Sequence, residues 1–256
     1  MTSVDEALRE GRRELAPGEA EILLAHVLGR QYGWLYAHGE AELAPAAAER
    51  FVALVHERRG GRPVAYLTGR RGFRDLDLDV SPATLIPRPE TELLVELALA
   101  RLPTGPAVRV ADLGTGSGAI ALSLAHARPR ASVLATDASV AALAVARANA
   151  ARLGIANVAF AHGHWWQAVG DARFDLVASN PPTHNGREVL NDIVAGAYHV
   201  LKPRGQLYLV INRLLSLKKE VEDVFGNAQT VARSKGFVVI RAVKQARVRE
   251  DELSLQ

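Results

Sequence analysis

The chain has 256 residues, enough for one α/β domain and a small additional module. It contains no cysteine, so disulfide bonds and catalytic or metal-binding thiolates are excluded. The formal net charge is +3 and the sequence pI is near 9.4, which permits a nucleic-acid partner without requiring one. The sequence shows no apolar stretch long enough to span a membrane. Its N-terminus is highly charged, so we expect no signal peptide. We therefore expect a cytoplasmic protein that acts as a monomer.

The first 70 residues predict a small helical domain. Apolar residues from Leu8 to Leu28 recur at helical spacing, interrupted by Pro17 and Gly18. A second helical stretch is predicted for residues 45–59. The alternating pattern at 72–80 then predicts a strand or one arm of a hairpin. We divide the chain into a helical domain (1–70), a β-hairpin linker (71–90) and a larger α/β domain (91–256).

The larger domain alternates helices and strands. The predicted strands are 108–113, 132–136, 158–161, 174–179, 206–211, 228–232 and 237–243. The predicted helices are 91–100, 119–127, 140–153, 188–201 and 217–225. Alternating elements favour a mostly parallel sheet covered on both faces, and the short connection between the last two strands predicts an antiparallel hairpin. This Rossmann-like, seven-stranded α/β layout is typical of class I methyltransferases.

A glycine-rich turn joins the first predicted strand of this domain to its helix. Its predicted cofactor-binding residues are Asp112, Gly114, Thr115, Gly116 and Gly118. A dinucleotide-binding turn is the natural competitor, but a carboxylate before the glycines would repel a pyrophosphate and can face the ammonium of S-adenosylmethionine. The next strand ends in Asp137, where a carboxylate can accept both ribose hydroxyls. The alternative is that both aspartates only cap helices or turns.

The loop after the third strand carries His164, Trp165 and Trp166. In this fold that loop holds the adenine of the cofactor, so we expect His164 and Trp165 to contribute to the cofactor site. An alternative of equal weight is that the two tryptophans fill a gap between a helix and the sheet. The eight histidines show no paired spacing with carboxylates, so we expect no metal ion.

The fourth strand ends in Asn180, Pro181 and Pro182, the predicted catalytic residues. Two prolines cannot continue a strand, so the chain must turn at the carboxyl end of the sheet, where α/β sheets bind ligands. An amide or aromatic amino nitrogen is a poor nucleophile because its lone pair is delocalised. The Asn180 side-chain oxygen and the Pro181 carbonyl can accept its hydrogens and stabilise the developing positive charge. We also expect Asn180 to touch the cofactor.

With these motifs in place, the chain resembles the HemK-type peptide-chain release-factor glutamine-N5 methyltransferases. The resemblance covers residues 1 to about 182 and includes GRPVAYLTGRRGF, SPATLIPRPETELLVE, ADLGTGSGAIALSLA and ASNPP. It implies S-adenosylmethionine as cofactor and a release factor as partner, recognised by residues 1–70. It also implies that Arg88 and Glu90, within IPRPETE, lie over the cofactor and bind substrate. Thr183 and His184, after the catalytic motif, are likewise implied to bind substrate.

The resemblance weakens after Asn180. The family has Tyr where this chain has Thr183, an acidic residue where it has His164, and a longer insertion after the catalytic motif. NPPTHNGREV and VLKPRGQLYLVINR are more similar to ribosomal-RNA guanine-N2 methyltransferases. A natural fusion and an artificial chimera both remain open. The leading interpretation is glutamine methylation; guanine methylation of ribosomal RNA and a non-catalytic cofactor-binding protein are the alternatives.

Overall fold

The computed structural model describes residues 2–105, 108–181 and 186–246. The chain divides into two compact units. The first comprises Met1–Arg70 with Val80–Pro82, and the second comprises Arg71–Asp79 with Ala83–Gln256. Residues 71–79, which the sequence analysis assigns to a linker, thus group with the larger unit.

The first unit is helical. Its described helices are α1 (Val4–Glu14), α2 (Glu19–Leu28), α3 (Tyr32–Ala37), α4 (Pro45–Arg59) and α5 (Val64–Thr68). A capping box starts α1, because the Ser3 hydroxyl accepts from the Glu6 amide and the Glu6 carboxylate accepts from the Ser3 amide. Leu8, Leu24 and Phe51 lie in its buried apolar core. The helix predicted at 45–59 is confirmed, whereas α3 and α5 are too short to show a helical period in the sequence.

The second unit begins with a hairpin of β1 (Arg70–Phe73) and β2 (Leu76–Asp79). The first residue of this hairpin, Arg70, still belongs to the first unit. Its helices are α6 (Pro89–Leu99), α7 (Ala119–Ala127), α8 (Val140–Arg152), α9 (Arg187–Val200) and α10 (Lys218–Phe225). Its further strands are β3 (Arg109–Leu113), β4 (Ser132–Asp137), β5 (Val158–His162), β6 (Phe174–Ser179), β7 (Leu201–Asn212), β8 (Gln229–Ser234) and β9 (Phe237–Val243).

Within the described residues, seven of these strands form one sheet in the order β5-β4-β3-β6-β7-β9-β8. The five strands from β5 to β7 are parallel, and β9 runs antiparallel to both β7 and β8. One apolar cluster lies around Leu94 and Leu122, and another lies around Leu190 and Ile193. The α/β class with a terminal antiparallel hairpin is therefore confirmed.

The strand β7 differs from its prediction. It begins at Leu201, which pairs with Phe174, whereas the apolar run of the sequence indicates a start at Gln206. The register shifts between these two points, and Arg204 has a positive φ of 66°. Pro203 and Gly205 interrupt the apolar pattern here, which hides the early part of the strand from sequence analysis.

The strand order reverses at β3. From β3 the chain continues through α7 to β4 on one side, and it later returns to β6 on the other side of β3. Ligands of open α/β sheets bind outside the carboxyl ends of the strands at such a switch point. The residues after β3, β4 and β6 therefore meet where a binding site is expected.

Candidate active site

A cavity of about 530 Å³ lies at the carboxyl ends of β3, β4 and β6. Each of these strands contributes the loop that follows it, and the N-terminal turn of α6 closes another side. The lining residues all belong to the second unit. The predicted site residues found at the cavity are Arg88, Gly114, Thr115, Gly116, Asp137, His164, Trp165, Asn180 and Pro181.

The glycine loop is hydrogen-bonded to the end of β4. Gly114, Gly116 and Gly118 have positive φ values of 72°, 57° and 88°, which favour glycine. The amides of Gly114 and Thr115 both donate to the carbonyl of Thr136, each at 2.9 Å. A Cβ at Gly118 would lie 2.8 Å from the side chain of Leu122, so a larger residue there would force that side chain to shift. Gly118 supports the loop from behind and is not among the residues that line the cavity.

Asp112 lies beneath this loop and is fully buried. Its Oδ2 accepts from the Thr115 hydroxyl at 2.7 Å and from the Ala121 amide at 3.1 Å, while no described residue partners its Oδ1. Burial raises the pKa of this carboxyl to about 7, outweighing the hydrogen bonds from Thr115 and Ala121 that lower it. The expectation that Asp112 lines the cavity is corrected, because its carboxylate is covered by the loop that it supports.

Asp137 stands at the cavity itself. Its Oδ2 accepts from the Gly116 amide and its Oδ1 from the Ser139 amide, both at 2.9 Å. A carboxylate oxygen has a second lone pair, so both oxygens retain accepting capacity. The residue thus ties the end of β4 to the glycine loop and still presents acceptors to a ligand.

The two tryptophans separate into different environments. Trp165 lines the cavity, and a Cβ placed on Gly114 would lie 3.7 Å from its ring. Trp166 is turned away: its indole lies against Gly196 of α9 and its Nε1 donates to the Asp192 carbonyl at 2.9 Å. Trp165 therefore lines the cavity and Trp166 packs against α9, while both rings also pack partly against the apolar core.

Asn180 follows β6 directly, and its amide is oriented by α6. Its Nδ2 donates to the hydroxyl of buried Thr91 at 2.9 Å, which leaves Oδ1 as the side-chain atom that can accept a hydrogen bond from a ligand. Pro181 also lines the cavity. The predictions for Pro182, Thr183 and His184 lie outside the described residues.

Arg88 and Glu90 take different positions at the start of α6. Arg88 lines the cavity, and its guanidinium lies over the ring of Phe237, 5.8 Å from the centroid. Glu90 is only 7% exposed, and its carboxylate lies 3.8 Å from Arg88. Glu90 is not among the residues that line the cavity, and its contact with the substrate stays a prediction.

The residues of the cavity that sequence analysis missed include Thr91, Val189 and Phe237, which belong to α6, α9 and β9. Thr91 lies inside IPRPETE and Val189 ends NPPTHNGREV, but neither is predicted as a site residue, and Phe237 lies in no motif. Each looks like an ordinary helix or strand residue in the sequence, so only the tertiary structure brings it to the cavity.

No helix of the described part of the chain is long and apolar enough to cross a membrane. Across residues 2–105, 108–181 and 186–246, there is also no cluster of histidine, aspartate and glutamate side chains able to hold a metal ion.

Comparison with known families and structures places the chain in a class. The methyltransferase small domain family matches residues 90–241, and the PrmC N-terminal domain matches residues 2–69. Among solved structures, a T. Thermophilus 16S rRNA N2 methyltransferase in complex with AdoMet and guanosine has a TM-score of 0.60 at 27% identity, covering 69% of this chain and 50% of that one. The ribosomal protein L11 methylase of Lactobacillus delbrueckii subsp. bulgaricus has a TM-score of 0.55 at 26% identity, with coverages of 65% and 84%. The fold and site therefore define a class I methyltransferase.

Curated relatives with similar sequences show which family the chain belongs to. The release factor glutamine methyltransferase of Xylella fastidiosa strain 9a5c is 43% identical over 91% of this chain and 90% of its own length. That of strain Temecula1 is 58% identical over 64% of this chain and 60% of its own length, and that of Escherichia coli K12 is 47% identical over 68% and 65%. The chain belongs to the release factor glutamine methyltransferase family, and the first resemblance is confirmed. The chain spans less than two thirds of two of these three relatives.

Proposed function

We propose that the chain transfers a methyl group from S-adenosylmethionine to the side-chain amide nitrogen of a glutamine in a peptide-chain release factor. The observation that carries this proposal is the Asn180 amide, oriented by Thr91 in the same cavity as the glycine loop and Asp137. The family of the relatives supports the glutamine substrate.

The residues present fit S-adenosylmethionine. The cavity is large enough for a nucleoside with an amino-acid arm, since ligand pockets commonly measure about 300–1,000 Å³. Asp137 offers carboxylate oxygens to ribose hydroxyls, and Trp165 offers an apolar wall beside Gly114. Beneath the loop, the unpartnered Oδ1 of Asp112 adds negative charge near a cationic ligand when the carboxyl is ionised. When bound, S-adenosylmethionine supplies an electrophilic methyl group on a positively charged sulfur.

The protein's part in the reaction is to orient a weak nucleophile. Asn180 Oδ1 and the Pro181 carbonyl accept hydrogen bonds from the two N–H groups of the substrate amide, which turns the nitrogen lone pair out of conjugation. Positive charge that develops on this nitrogen is stabilised by the same acceptors. Holding the nitrogen in line with the methyl group contributes much of the remaining rate. No strong base is required, because the charged nitrogen readily loses its proton to water after transfer.

The helical unit is the proposed recognition module for the release factor. The matched N-terminal domain family covers residues 2–69, and the lining of the cavity comes entirely from the other unit. We also propose that the protein acts as a monomer, in the cytoplasm where its translation-factor substrate is found.

A second candidate is methylation of a guanine amino group in ribosomal RNA. The 27% identical structure solved with guanosine favours it. The same acceptors at Asn180 and Pro181 suit an aromatic amino nitrogen, whose lone pair is also delocalised.

Transfer of labelled methyl groups to purified release factor and to stripped ribosomal subunits tests the proposal. We expect label in the release factor, and we expect Asn180→Ala to lower turnover by about two orders of magnitude or more, as for loss of one preorganised catalytic hydrogen-bond partner. The cofactor affinity of this variant, measured by calorimetry, should change little. Label confined to ribosomal RNA would support the second candidate. An absence of transfer to either substrate would indicate a non-catalytic binder.

A further inference from the structure

Within the described part of the chain, one tryptophan and one phenylalanine line the cavity, and they stand at different places. Trp165 lies beside the glycine loop, as its proximity to Gly114 shows. Phe237, the first residue of β9, lies instead under the guanidinium of Arg88. The function proposed above assigns no role to Phe237.

The first turn of α6 holds both Phe237 and Asn180. Arg88 caps this helix and covers the Phe237 ring at 5.8 Å from its centroid. Thr91, three residues later, accepts the hydrogen bond of the Asn180 side chain. Residues three apart lie close together on a helix. Phe237 and Asn180 therefore both contact the start of α6, and both line the cavity.

The backbone of Phe237 is fixed on both sides. It pairs with Asn212 of β7 and with Ser234 of β8, directly after a tight turn at Lys235 and Gly236, whose φ values are 40° and 89°. The Gly236 carbonyl accepts from the Arg213 amide at 2.8 Å, which anchors this turn to the end of β7. The ring also packs partly against the apolar core. The ring is therefore attached to a fixed strand and has the core on one side.

We propose that Phe237, held in place by Arg88, forms the flat apolar wall that positions the planar methyl-accepting group of the substrate beside Asn180. This inference rests on the proposed function, because a carboxamide and a nucleobase are both planar. An aromatic ring packs on such groups by its face or by its edge and keeps water away from them. Contact with one face restricts rotation of the group, so that its nitrogen stays aligned with the methyl donor. Phe237 thus favours planar acceptors.

The chain offers a matched control. Phe160 of β5 lies under Arg147, 5.7 Å from ring centroid to guanidinium carbon, and packs partly against the same apolar core. It does not line the cavity. Phe237→Leu and Phe160→Leu therefore remove the same ring and the same kind of contact, but only the first removes it from the cavity. Phe237→Tyr retains the flat face.

The four full-length proteins are compared by kcat/KM for release factor methylation, by S-adenosylmethionine Kd from calorimetry, and by thermal unfolding midpoint. We expect Phe237→Leu to lower kcat/KM by about tenfold or more, as alanine substitution of stacking aromatics does for bases. Its cofactor Kd should stay at the wild-type value, Phe237→Tyr should retain most of the activity, and Phe160→Leu should retain all of it.

Wild-type kcat/KM in Phe237→Leu would overturn the inference, and so would an equal loss in both leucine variants, which would indicate packing alone. A parallel loss of cofactor affinity would also overturn it, because Phe237 would then border the cofactor. Failure of the wild-type protein to methylate release factor would contradict the proposed function separately. In that case the variants are compared on ribosomal RNA. A loss of kcat/KM in Phe237→Leu alone would support the role of Phe237 as a wall, and no loss would overturn it. Transfer to neither substrate overturns both proposals.

Discussion

Two aspartates lie near the ends of neighbouring strands, yet their surroundings give them different tasks. Asp112 lies within β3 and is buried, whereas Asp137 ends β4 and lines the cavity. Both accept hydrogen bonds from the loop, Asp112 from Thr115 and Asp137 from Gly116. We therefore expect ligand binding to depend directly on Asp137, and the shape and stability of the loop to depend on Asp112.

Asp137→Ala should weaken S-adenosylmethionine binding by about 1.5–3 kcal/mol, the scale of hydrogen bonds that involve a charged group. The loss includes the support that Asp137 gives to Gly116. Asp175→Ala is a suitable control: Asp175 also accepts from a backbone amide, that of Arg109, but it does not line the cavity. Calorimetry measures both variants. Unchanged affinity in Asp137→Ala would remove this residue from the cofactor site.

The raised pKa of Asp112 predicts a specific dependence of stability on pH. Between its unfolded pKa of 3.8 and its folded pKa of about 7, the native protein binds more protons at this carboxyl than the unfolded chain does. The free energy of unfolding therefore falls as pH rises through this window, by at most about 1.4 kcal/mol per pH unit from this group. Above pH 7 this contribution changes no further.

Asp112→Asn should remove this contribution, because an amide of the same shape does not titrate. Urea unfolding of both cofactor-free proteins from roughly pH 5 to pH 8 measures it. We expect wild type to lose stability relative to the variant as the pH rises toward 7. Parallel pH profiles of the two proteins would show that Asp112 ionises at its ordinary pKa.

At the scale of single residues, the sequence predicts which residues form the site better than it predicts the role of each. The glycine loop, Asp137 and Asn180 can be found because each directly follows an apolar strand, and parallel strands end at one edge. The sequence cannot show that Asp112 is covered by its own loop or that only one of two adjacent tryptophans faces the cavity. These differences depend on side-chain direction and on packing against distant helices.

Among the larger elements, α9 is attached to the short 3₁₀ helix after β5 through a close contact. A Cβ on Gly196 would overlap the Trp166 indole, whose Nε1 donates to Asp192 of the same helix. Gly196→Ala should therefore destabilise the protein by about 1–3 kcal/mol or more, although alanine normally favours a helix. Gly33→Ala is the control, because no atom lies within 4 Å of a Cβ at that helical position.

Trp166→Ala in the Gly196→Ala background should recover part of the loss, since the overlapping ring is gone. The unfolding free energies of the two single variants and the double variant form a cycle that isolates the contact. Strict additivity would show that Trp166 and Gly196 do not touch.

The regular elements are largely predictable, because each has a long apolar period. The helix α7 begins and ends at the predicted residues, and β6 and β9 do so as well. The early part of β7 and the short helices α3 and α5 lack such a period. The contribution of Phe237 to the cavity follows from the strand order, which places the terminal hairpin beside β7, and no local pattern indicates it.

For the whole molecule, the division into two units predicts separable functions. A variant lacking residues 2–69 retains every described residue that lines the cavity. We expect it to bind S-adenosylmethionine with wild-type affinity and to lose methylation of release factor, because the proposed recognition module is absent. Calorimetry and the transfer assay measure the two properties. Methylation at the full rate by the truncated protein would contradict the recognition role.

The central claim is that a planar side-chain amide receives the methyl group. Mass spectrometry of peptides from release factor incubated with S-adenosylmethionine and the full-length chain tests this most directly, with Asn180→Ala as the matched control. We predict one added methyl group on the side-chain nitrogen of a glutamine, at a much lower level with the variant. Unmodified glutamines in release factor, together with methylated guanine in ribosomal RNA from a parallel reaction, would contradict the account.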